Sequence, residues 1–420
     1  MKNFLIGLLT FIGTTGISAQ TQSITVHSHT TGKEEVIDIP ESMQSEMDSL
    51  YWDWQSKIYT TPGENCTMES ANPTVSDSIY MDRLSRIPSL IEMPYNEAVR
   101  KFIDMYAVRL RNKVSFMLAA TNFYMPIFEE ALDLYDLPQE LKYLPIIESA
   151  LNPVAVSRQG ATGLWQFMLA TGKVYGLKQN SLIDERRDPV KSTWAAVRYL
   201  KDLYDIYQDW NLVLAAYNCG PGTINKAIRR AGGETDYWSI YNYLPKETRG
   251  YVPAFIAANY IMTYYCEHGI CPMESELPNA TDTVHIDKDL HLQQVAEVCH
   301  INLDQLRSLN PQYKKDIVPG NSELSVLRLP HNTTSTFIEL QDSIFAYKAN
   351  EYLNKRKTVT IKEATSKSGN SSKGTLYHKI KQGDTLGGIA AKYHVSVNQL
   401  RQLNGINGNN IRAGKTLRIR

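Results

Sequence analysis

The sequence predicts a mainly α-helical protein, in which one helical domain is followed by two copies of a small strand–helix–helix–strand module. Two observations predict this class. Residues 95–272 carry apolar side chains at three- and four-residue steps, the period of an amphipathic helix. After Pro278, similar residues return in two segments at one fixed offset, which indicates an internal repeat. A chain of 420 residues is long enough for two or more such domains.

The helical domain, residues 95–272, shows no run of alternating strands. Gly- and Pro-rich breaks separate its helical segments. Apolar periodicity predicts helices over 99–106, 123–134, 189–207, 212–217 and 251–265. The apolar stripes on these segments are expected to form the core.

The repeat defines the modules 283–330 and 375–420. Its two copies align without a break at Val295 with Ile389, Leu306 with Leu400, Asn310 with Asn404, and Gly320 with Gly414. Each copy is expected to be strand, helix, helix, strand. Between them, residues 331–374 begin with a possible amphipathic helix over 337–347 and end in a Ser-, Gly- and Lys-rich stretch. This composition favours a flexible linker.

Composition and the first residues indicate the class of partner and the cellular location of the protein. The formal net charge is zero, which favours neither nucleic acid nor an anionic membrane as a partner. Residues 1–19 have the charge, the short apolar run and the small residues of a secretory signal, so the mature chain is expected to be exported to the periplasm or cell envelope, without a transmembrane segment. Residues 20–94 are interpreted as a leader to the first domain, loosely organised up to residue 75.

Five cysteines are present, and export permits disulfides. Cys266 and Cys271 flank Gly269, where a turn could bring their sulfur atoms together, so we predict a disulfide between them. No Cys-x-x-Cys pair or tight His/Cys cluster occurs, so no metal and no cofactor is predicted.

A carboxylate in an apolar run draws attention to residues 141–151. Their spacing predicts a short helix, although Pro145 would remove a helix hydrogen bond. Glu148 lies in this run and is followed at once by Ser149. A carboxyl group held in an apolar cleft keeps its proton and can act as a general acid. Taken alone, Glu148 is more often a surface glutamate than a catalyst.

Four short motifs follow one another through the helical domain. They are Glu148-Ser149, then Gly-Leu-Trp-Gln-Phe over 163–167, then Ala-Tyr-Asn over 216–218, then Glu-Thr-Arg-Gly-Tyr over 247–251. This set and its order resemble the family 1 lytic transglycosylases, which share the goose-type lysozyme-like fold. The repeats resemble LysM modules. The resemblance covers roughly residues 80–420.

The resemblance implies a role for each matching residue. Glu148 would be the acid/base, and Tyr251 would orient it. Ser149, Gln166, Tyr217 and Asn218 would line the substrate site, where amide and hydroxyl groups suit sugars. Trp165 and Tyr217 offer flat apolar surfaces on which a sugar could pack. The same two motifs would also be expected of a Trp in the core and of an ordinary helix end.

Other charged and divergent positions have plainer interpretations. Glu247 is placed outside the cleft, and Arg249 is expected to make a surface or structural ion pair. The charged run 184–188 could hide a second catalytic carboxylate, but a solvated, salt-bridged loop is favoured. Leu169 stands where the family pattern has proline.

The two modules differ at their first strand–helix turn. The second copy has Gly383, Asp384, Thr385 and Leu386 there, as LysM modules do, and is expected to bind glycan. The first copy has Asp-Leu-His-Leu over 289–292 and is expected to be degenerate.

The resemblance implies a lytic transglycosylase that cleaves the β-1,4 bond between N-acetylmuramic acid and N-acetylglucosamine in peptidoglycan strands. Its product would carry a 1,6-anhydro-muramic acid end. Two alternatives stay open: a muramidase-type hydrolase with a second carboxylate, and a catalytically idle wall-binding scaffold.

Overall fold

The computed structural model describes residues 22–27, 34–44, 72–275, 277–353, 376–393 and 395–419. The predicted signal peptide and residues 354–374 of the predicted linker lie outside these residues. The chain divides into two units, residues 1–355 and 356–420, which are described separately.

The first unit opens with two antiparallel strands, β1 (Ser23–His27) and β2 (Glu34–Asp38), and a 3₁₀ turn at Glu41–Met43. A helical domain follows. Its helices are α1 (Asp77–Ser85), α2 (Glu97–Asp104), α3 (Arg111–Leu134), α4 (Leu144–Ser149), α5 (Leu169–Val174), α6 (Pro189–Tyr207), α7 (Trp210–Cys219), α8 (Pro221–Arg230), α9 (Tyr237–Ile240) and α10 (Lys246–Tyr264). The predicted mainly α-helical class is confirmed.

Helix α10 lies at the centre of this domain. It is buried along most of its length and packs against α2, α4, α7 and β2. Helices α4 and α10 thus pack directly against each other, which matters for the site.

Helix α6 has the bounds that periodicity predicts, because Pro189 fits a first turn and the Asp188 carboxylate accepts from Val190 N and Lys191 N.

The interpretation of residues 20–75 as loosely organised is wrong for the part that the structure describes. Burial alternates along β1 and β2, as in strands that pack on one face, and Ile37 is fully buried. The Ser42 hydroxyl donates to Ile147 O, and Lys113 Nζ donates to Ser42 O at 2.9 Å. This segment is therefore an integral layer of the helical domain.

The first module contains two strand pairs and two helices. Strand β3 (Thr281–Ile286) pairs with β6 (Ser325–Pro330), and β4 (Asp289–His291) pairs with β5 (Ile317–Pro319). Helices α11 (Leu292–Cys299) and α12 (Leu303–Leu309) pack beside them. Ile183 of the helical domain belongs to the same apolar core and makes a β-bridge with Tyr313.

The assignment of residues 331–374 to a linker is wrong at its start. Helices α13 (His331–Glu339), α14 (Gln341–Ala346) and α15 (Ala349–Tyr352) continue the first module. Phe337 and Ile344 are buried in its core, because the small β-strand pairs need a further apolar cover.

The second unit is the smaller module. Its strands β7 (Tyr377–Lys379) and β8 (Thr416–Arg418) pair antiparallel, with α16 (Leu386–Lys392) and α17 (Val397–Asn404) between them in sequence. Asn404 donates to Leu400 O and Arg418 O and accepts from Arg418 N. Asn310 makes the equivalent three bonds to Leu306 and Arg328 in the first module, which confirms the repeat.

The predicted disulfide between Cys266 and Cys271 is wrong. Cys271 is disulfide-bonded, whereas Cys266 is a free, exposed thiol. Gly269 is left-handed (φ 59°), and Ile270 N donates back to Tyr265 O, so the chain reverses sharply after α10. This reversal buries Cys271 and leaves Cys266 facing solvent.

Helices long and apolar enough to cross a membrane do not occur among the described residues.

Candidate active site

The helix that carries Glu148 is short. A 3₁₀ turn at Gln139–Tyr143 precedes α4, and Pro145 lies in the first turn of α4. Pro145 therefore breaks no helix bond, contrary to the prediction of one helix over 141–151. Ala150 and Leu151 adopt left-handed conformations (φ 51° and 59°), so α4 ends directly after Glu148 and Ser149. Glu148 thus stands in the last turn of the helix.

Glu148 lines a cavity of about 330 Å³ in the helical domain. Tyr251, one of the buried residues of α10, donates its hydroxyl hydrogen to the Glu148 carboxylate. Burial raises the pKa of Glu148 to about 8; the Tyr251 hydrogen bond lowers it, and Glu247 and Glu41 raise it further. A carboxyl group with this pKa holds a proton at neutral pH and can give it up.

Ser149 does not line the cavity, contrary to its predicted place in the substrate site. Its side chain is buried, and its hydroxyl donates to Leu164 O at 2.9 Å, with Pro145 O at 3.1 Å. This bond joins α4 to the Gly-Leu-Trp-Gln-Phe turn. Ser149 therefore helps to position Glu148 and Gln166 relative to each other and does not face the cavity itself.

Gln166 lines the cavity on that turn. Its backbone is left-handed (φ 45°), and its Nε2 donates to Gly163 O at 2.8 Å. Gly163 has φ 89°, and a Cβ there would meet Arg186 O at 1.8 Å, so no other residue fits. Leu169 is the first residue of α5, a position where proline is common but not required, so the turn forms without it.

Trp165 and Tyr217, the two aromatic residues of the motifs, differ in where their side chains lie. Trp165 is fully buried, and its Nε1 donates to Thr193 Oγ1 at 2.9 Å. It packs in the core, so the prediction that it offers a sugar-packing surface is wrong. Tyr217 does line the cavity, and its hydroxyl donates to Trp165 O at 2.7 Å.

Asn218 and Glu247 form a polar group at the same cavity. Asn218 Oδ1 accepts from the Thr248 hydroxyl at 2.8 Å. Glu247 lines the cavity, so its predicted position outside the cleft is wrong. It lies one helical turn before Tyr251 and shares that face of α10. Burial raises the pKa of Glu247, while a hydrogen bond with Asn218 lowers it.

Arg249 points elsewhere. It donates to Leu244 O and Asn242 O and lies 4.0 Å from the Glu35 carboxylate, which fits the structural ion pair predicted for it.

The charged run 184–188 is paired but not solvated. Asp184, Glu185 and Arg186 are buried, and Arg186 makes a two-point ion pair with Asp184. Arg186 also donates to Gly160 O and Phe167 O, so it supports the turn that carries Gln166. No residue of this run lines the cavity.

One wall of the cavity was missed by sequence reasoning. Ile39, Pro40, Glu41 and Gln44 line it, together with Arg158 from the loop after α4. The alternation of Ile24 and Val26 with polar residues in β1 was the available signal.

The second module carries its four predicted residues on one turn. Gly383 has φ 95°, Thr385 caps α16 through Gly388 N, and Leu386 is buried. The Asp384 carboxylate accepts from Lys381 N at 2.9 Å, and Asp384 also lines a cavity of about 670 Å³ with Thr385 and Leu386.

The corresponding turn of the first module is partly covered. His291 caps α11, and the ring of Tyr352 from α15 stacks on it at 5.2 Å. Tyr347, Tyr352 and Lys348 all hydrogen-bond to the carboxylate of Glu297 on α11.

Comparison with known proteins matches three parts of the chain. Residues 125–240 match the Transglycosylase SLT domain, 280–346 the LysM-like domain of lytic transglycosylase MltD, and 378–420 the LysM domain. Membrane-bound lytic murein transglycosylase D of Escherichia coli strain K12 is 31% identical over 334 residues, which are 78% of this chain and 70% of that one.

Two further similarities cover shorter parts of the chain. The soluble lytic murein transglycosylase of Escherichia coli strain K12 is 31% identical over 28% of this chain and 19% of its own. The crystal structure of the 70 kDa soluble lytic transglycosylase of Escherichia coli overlaps 35% of this chain and 25% of its own, at 27% identity and a TM-score of 0.30. The identity and coverage of the membrane-bound relative show that the chain belongs to the lytic murein transglycosylases, peptidoglycan-cleaving lyases, here with an SLT domain followed by LysM domains.

Proposed function

We propose that Glu148 is the single acid/base of this enzyme and that the product carries a 1,6-anhydro-muramic acid end. The observation that carries the proposal is the Glu148–Tyr251 pair at the cavity, with the pKa of Glu148 raised to about 8. The substrate bond is the β-1,4 link between N-acetylmuramic acid and N-acetylglucosamine.

In the first step, the protonated Glu148 gives its proton to the glycosidic oxygen as the bond from that oxygen to C1 of muramic acid breaks. Glu148 is then a carboxylate. It takes the proton of the C6 hydroxyl of the same sugar, and the C6 oxygen bonds to C1. Glu148 ends protonated, and no water is consumed. A substrate that supplies its own nucleophile needs only one enzyme carboxyl and gains from proximity.

The other cavity residues support this cycle. Tyr251 fixes the orientation of the Glu148 carboxyl and stabilises its anion between the two steps. Gln166, Tyr217 and Asn218 present amide and hydroxyl groups to the sugars. The second LysM module binds glycan through the turn 383–386, and this tethering raises the local concentration of the catalytic domain at the wall. The disulfide at Cys271 agrees with export to the cell envelope.

A hydrolase is the second candidate, because Glu247 and Glu41 also line the cavity. Either could activate water, as two-carboxylate glycosidases require. The single-carboxyl route is favoured because the Glu247 carboxyl is engaged by Asn218, and because Tyr251 orients the Glu148 carboxyl by a direct hydrogen bond.

The mass of the soluble muropeptides separates the two candidates. Anhydro ends are lighter than hydrolysed reducing ends by one water. We expect anhydro ends from the wild type, loss of activity by orders of magnitude in Glu148→Gln, and retained anhydro product in Glu247→Gln. Glu130→Gln, on the exposed face of α3, is the matched control and should behave as the wild type. Predominantly reducing ends would mean a hydrolase.

A further inference from the structure

The segment 37–44 contacts the chain neighbours of both Glu148 and Tyr251. The Ser42 hydroxyl donates to Ile147 O, directly before Glu148. Asp38 O lies against Gly250, directly before Tyr251, where a Cβ would come within 2.6 Å of that oxygen. The match to the SLT domain begins at residue 125, so the segment is an addition to the matched region.

The segment is held in a defined position above the cavity. Gln44 Nε2 donates to Ile39 O at 2.9 Å, and Ile39 N donates to Gln22 O at 3.1 Å. Lys113 Nζ donates to Ser42 O at 2.9 Å. Groups fixed by their own hydrogen bonds can meet a ligand without first being ordered, which lowers the cost of binding.

Glu41 is the charged group that this segment contributes to the cavity. Its Oε2 accepts from Arg158 N at 3.2 Å, and its Oε1 lies 3.8 Å from Arg158 Nε. The pair joins the segment to the loop after α4. A carboxylate has several acceptor positions, so it can keep these contacts and accept further hydrogen bonds.

We propose that residues 39–44 form a substrate-contacting wall of the cleft and that Glu41 binds the glycan by accepting hydrogen bonds from its hydroxyl or acetamido N–H groups. Sugars offer many neutral donors, and a bond from a neutral donor to a carboxylate is stronger than one to a neutral acceptor. The proposal rests on the glycan-cleaving function proposed above and assigns part of the substrate site to a segment outside the SLT match.

The test compares Glu41→Gln with Glu34→Gln in the full chain. Glu34 lies on the exposed face of β2 and does not line the cavity. Glu34→Gln therefore removes the same charge from the protein without removing a group that could contact the glycan. The probe is a soluble tetrasaccharide of alternating N-acetylglucosamine and N-acetylmuramic acid. Both kcat and KM are measured at pH 6, where Glu148 is protonated whether or not Glu41 is charged.

We expect Glu41→Gln to raise KM about tenfold while kcat changes less than about threefold, because a charged acceptor is replaced by a neutral one of the same shape. Glu34→Gln should match the wild type. An unchanged KM in Glu41→Gln overturns the proposal, whatever happens to kcat. A loss confined to kcat would mean that the segment only supports α4.

The outcome is independent of the mechanism. If Glu41→Gln raises KM but the products carry reducing ends, the binding wall stands and the anhydro mechanism falls. If KM is unchanged and the products carry anhydro ends, the reverse holds. Ser42→Ala provides a second variant: it removes the hydrogen bond to Ile147 O and should lower kcat, because α4 loses an anchor next to Glu148.

Discussion

Replacing Glu148 by Gln should stabilise the protein at neutral pH although it abolishes activity. The physical reason is the raised pKa of Glu148, about 8 against an ordinary value of 4.5, which burial causes. Below about pH 4.5 the carboxyl is protonated in both the folded and the unfolded chain, so it has no effect on the pH dependence. As the pH rises from 4.5 to 8, the unfolded chain loses the proton and the folded chain keeps it, so stability is lost.

The magnitude follows from the size of the shift. One pKa unit is worth about 1.4 kcal/mol, so the 2.5 units between about 4.5 and 7 cost at most about 3.5 kcal/mol at pH 7. Glu148 is only half-buried, and water in the cavity reduces this figure, so we expect about 2 kcal/mol. Gln cannot ionise, so the variant escapes this cost. A gain of about 2 kcal/mol raises Tm by roughly 4–8 °C in a domain of this size.

Thermal melts of the full chain at pH 4.5, 6 and 7, at one ionic strength, measure the effect. The Tm of Glu148→Gln minus that of the wild type should grow with pH. Glu130→Gln, an exposed position on α3, should show no such growth. A difference for Glu148→Gln that is the same at all three pH values would refute the argument that burial holds the proton on Glu148.

Four further outcomes are expected. Activity should fall above about pH 8 as Glu148 loses its proton. Glu247→Gln should move this alkaline limb of the pH–rate profile to lower pH, because it removes a charge that raises the pKa of Glu148. An alkaline limb at the same pH in Glu247→Gln would contradict this. Cys271→Ser should lower stability by about 2–5 kcal/mol and Cys266→Ser should not, as melts without reductant would show; equal effects would be inconsistent with a free Cys266. Asp184→Asn should cost about 3–5 kcal/mol because it leaves Arg186 buried and unpaired, against about 0–1 kcal/mol for Asp205→Asn in the exposed pair with Lys201, and urea titration compares the two. Deleting residues 375–420 should weaken pull-down on insoluble peptidoglycan; unchanged pull-down, with binding lost only when 283–330 is removed, would assign binding to the first module.

Local pattern alone determined the helical class and the repeat. Helix α6 begins and ends where periodicity and the Pro189 signal predict, because an amphipathic stripe and a capping residue are properties of neighbouring residues. The repeat was readable because Asn310 and Asn404 make the same local bonds in each module. The family resemblance that the four ordered motifs carry implied Glu148, Gln166, Tyr217, Asn218 and Tyr251 as site residues, and all five line one cavity.

Only the tertiary structure decided which side of an element faces the cavity and what distant segments add to it. Ser149 and Trp165 stand beside site residues in sequence but turn into the core, whereas Glu247 turns toward Glu148. Glu41 lies more than a hundred residues before Glu148 in the sequence, yet it lines the same cavity, in a segment whose Asp38 O packs against Gly250. The pattern of neighbouring residues gives the period of a helix or strand. Which of its side chains face the core and which face the cavity is set by contacts between residues far apart in the chain.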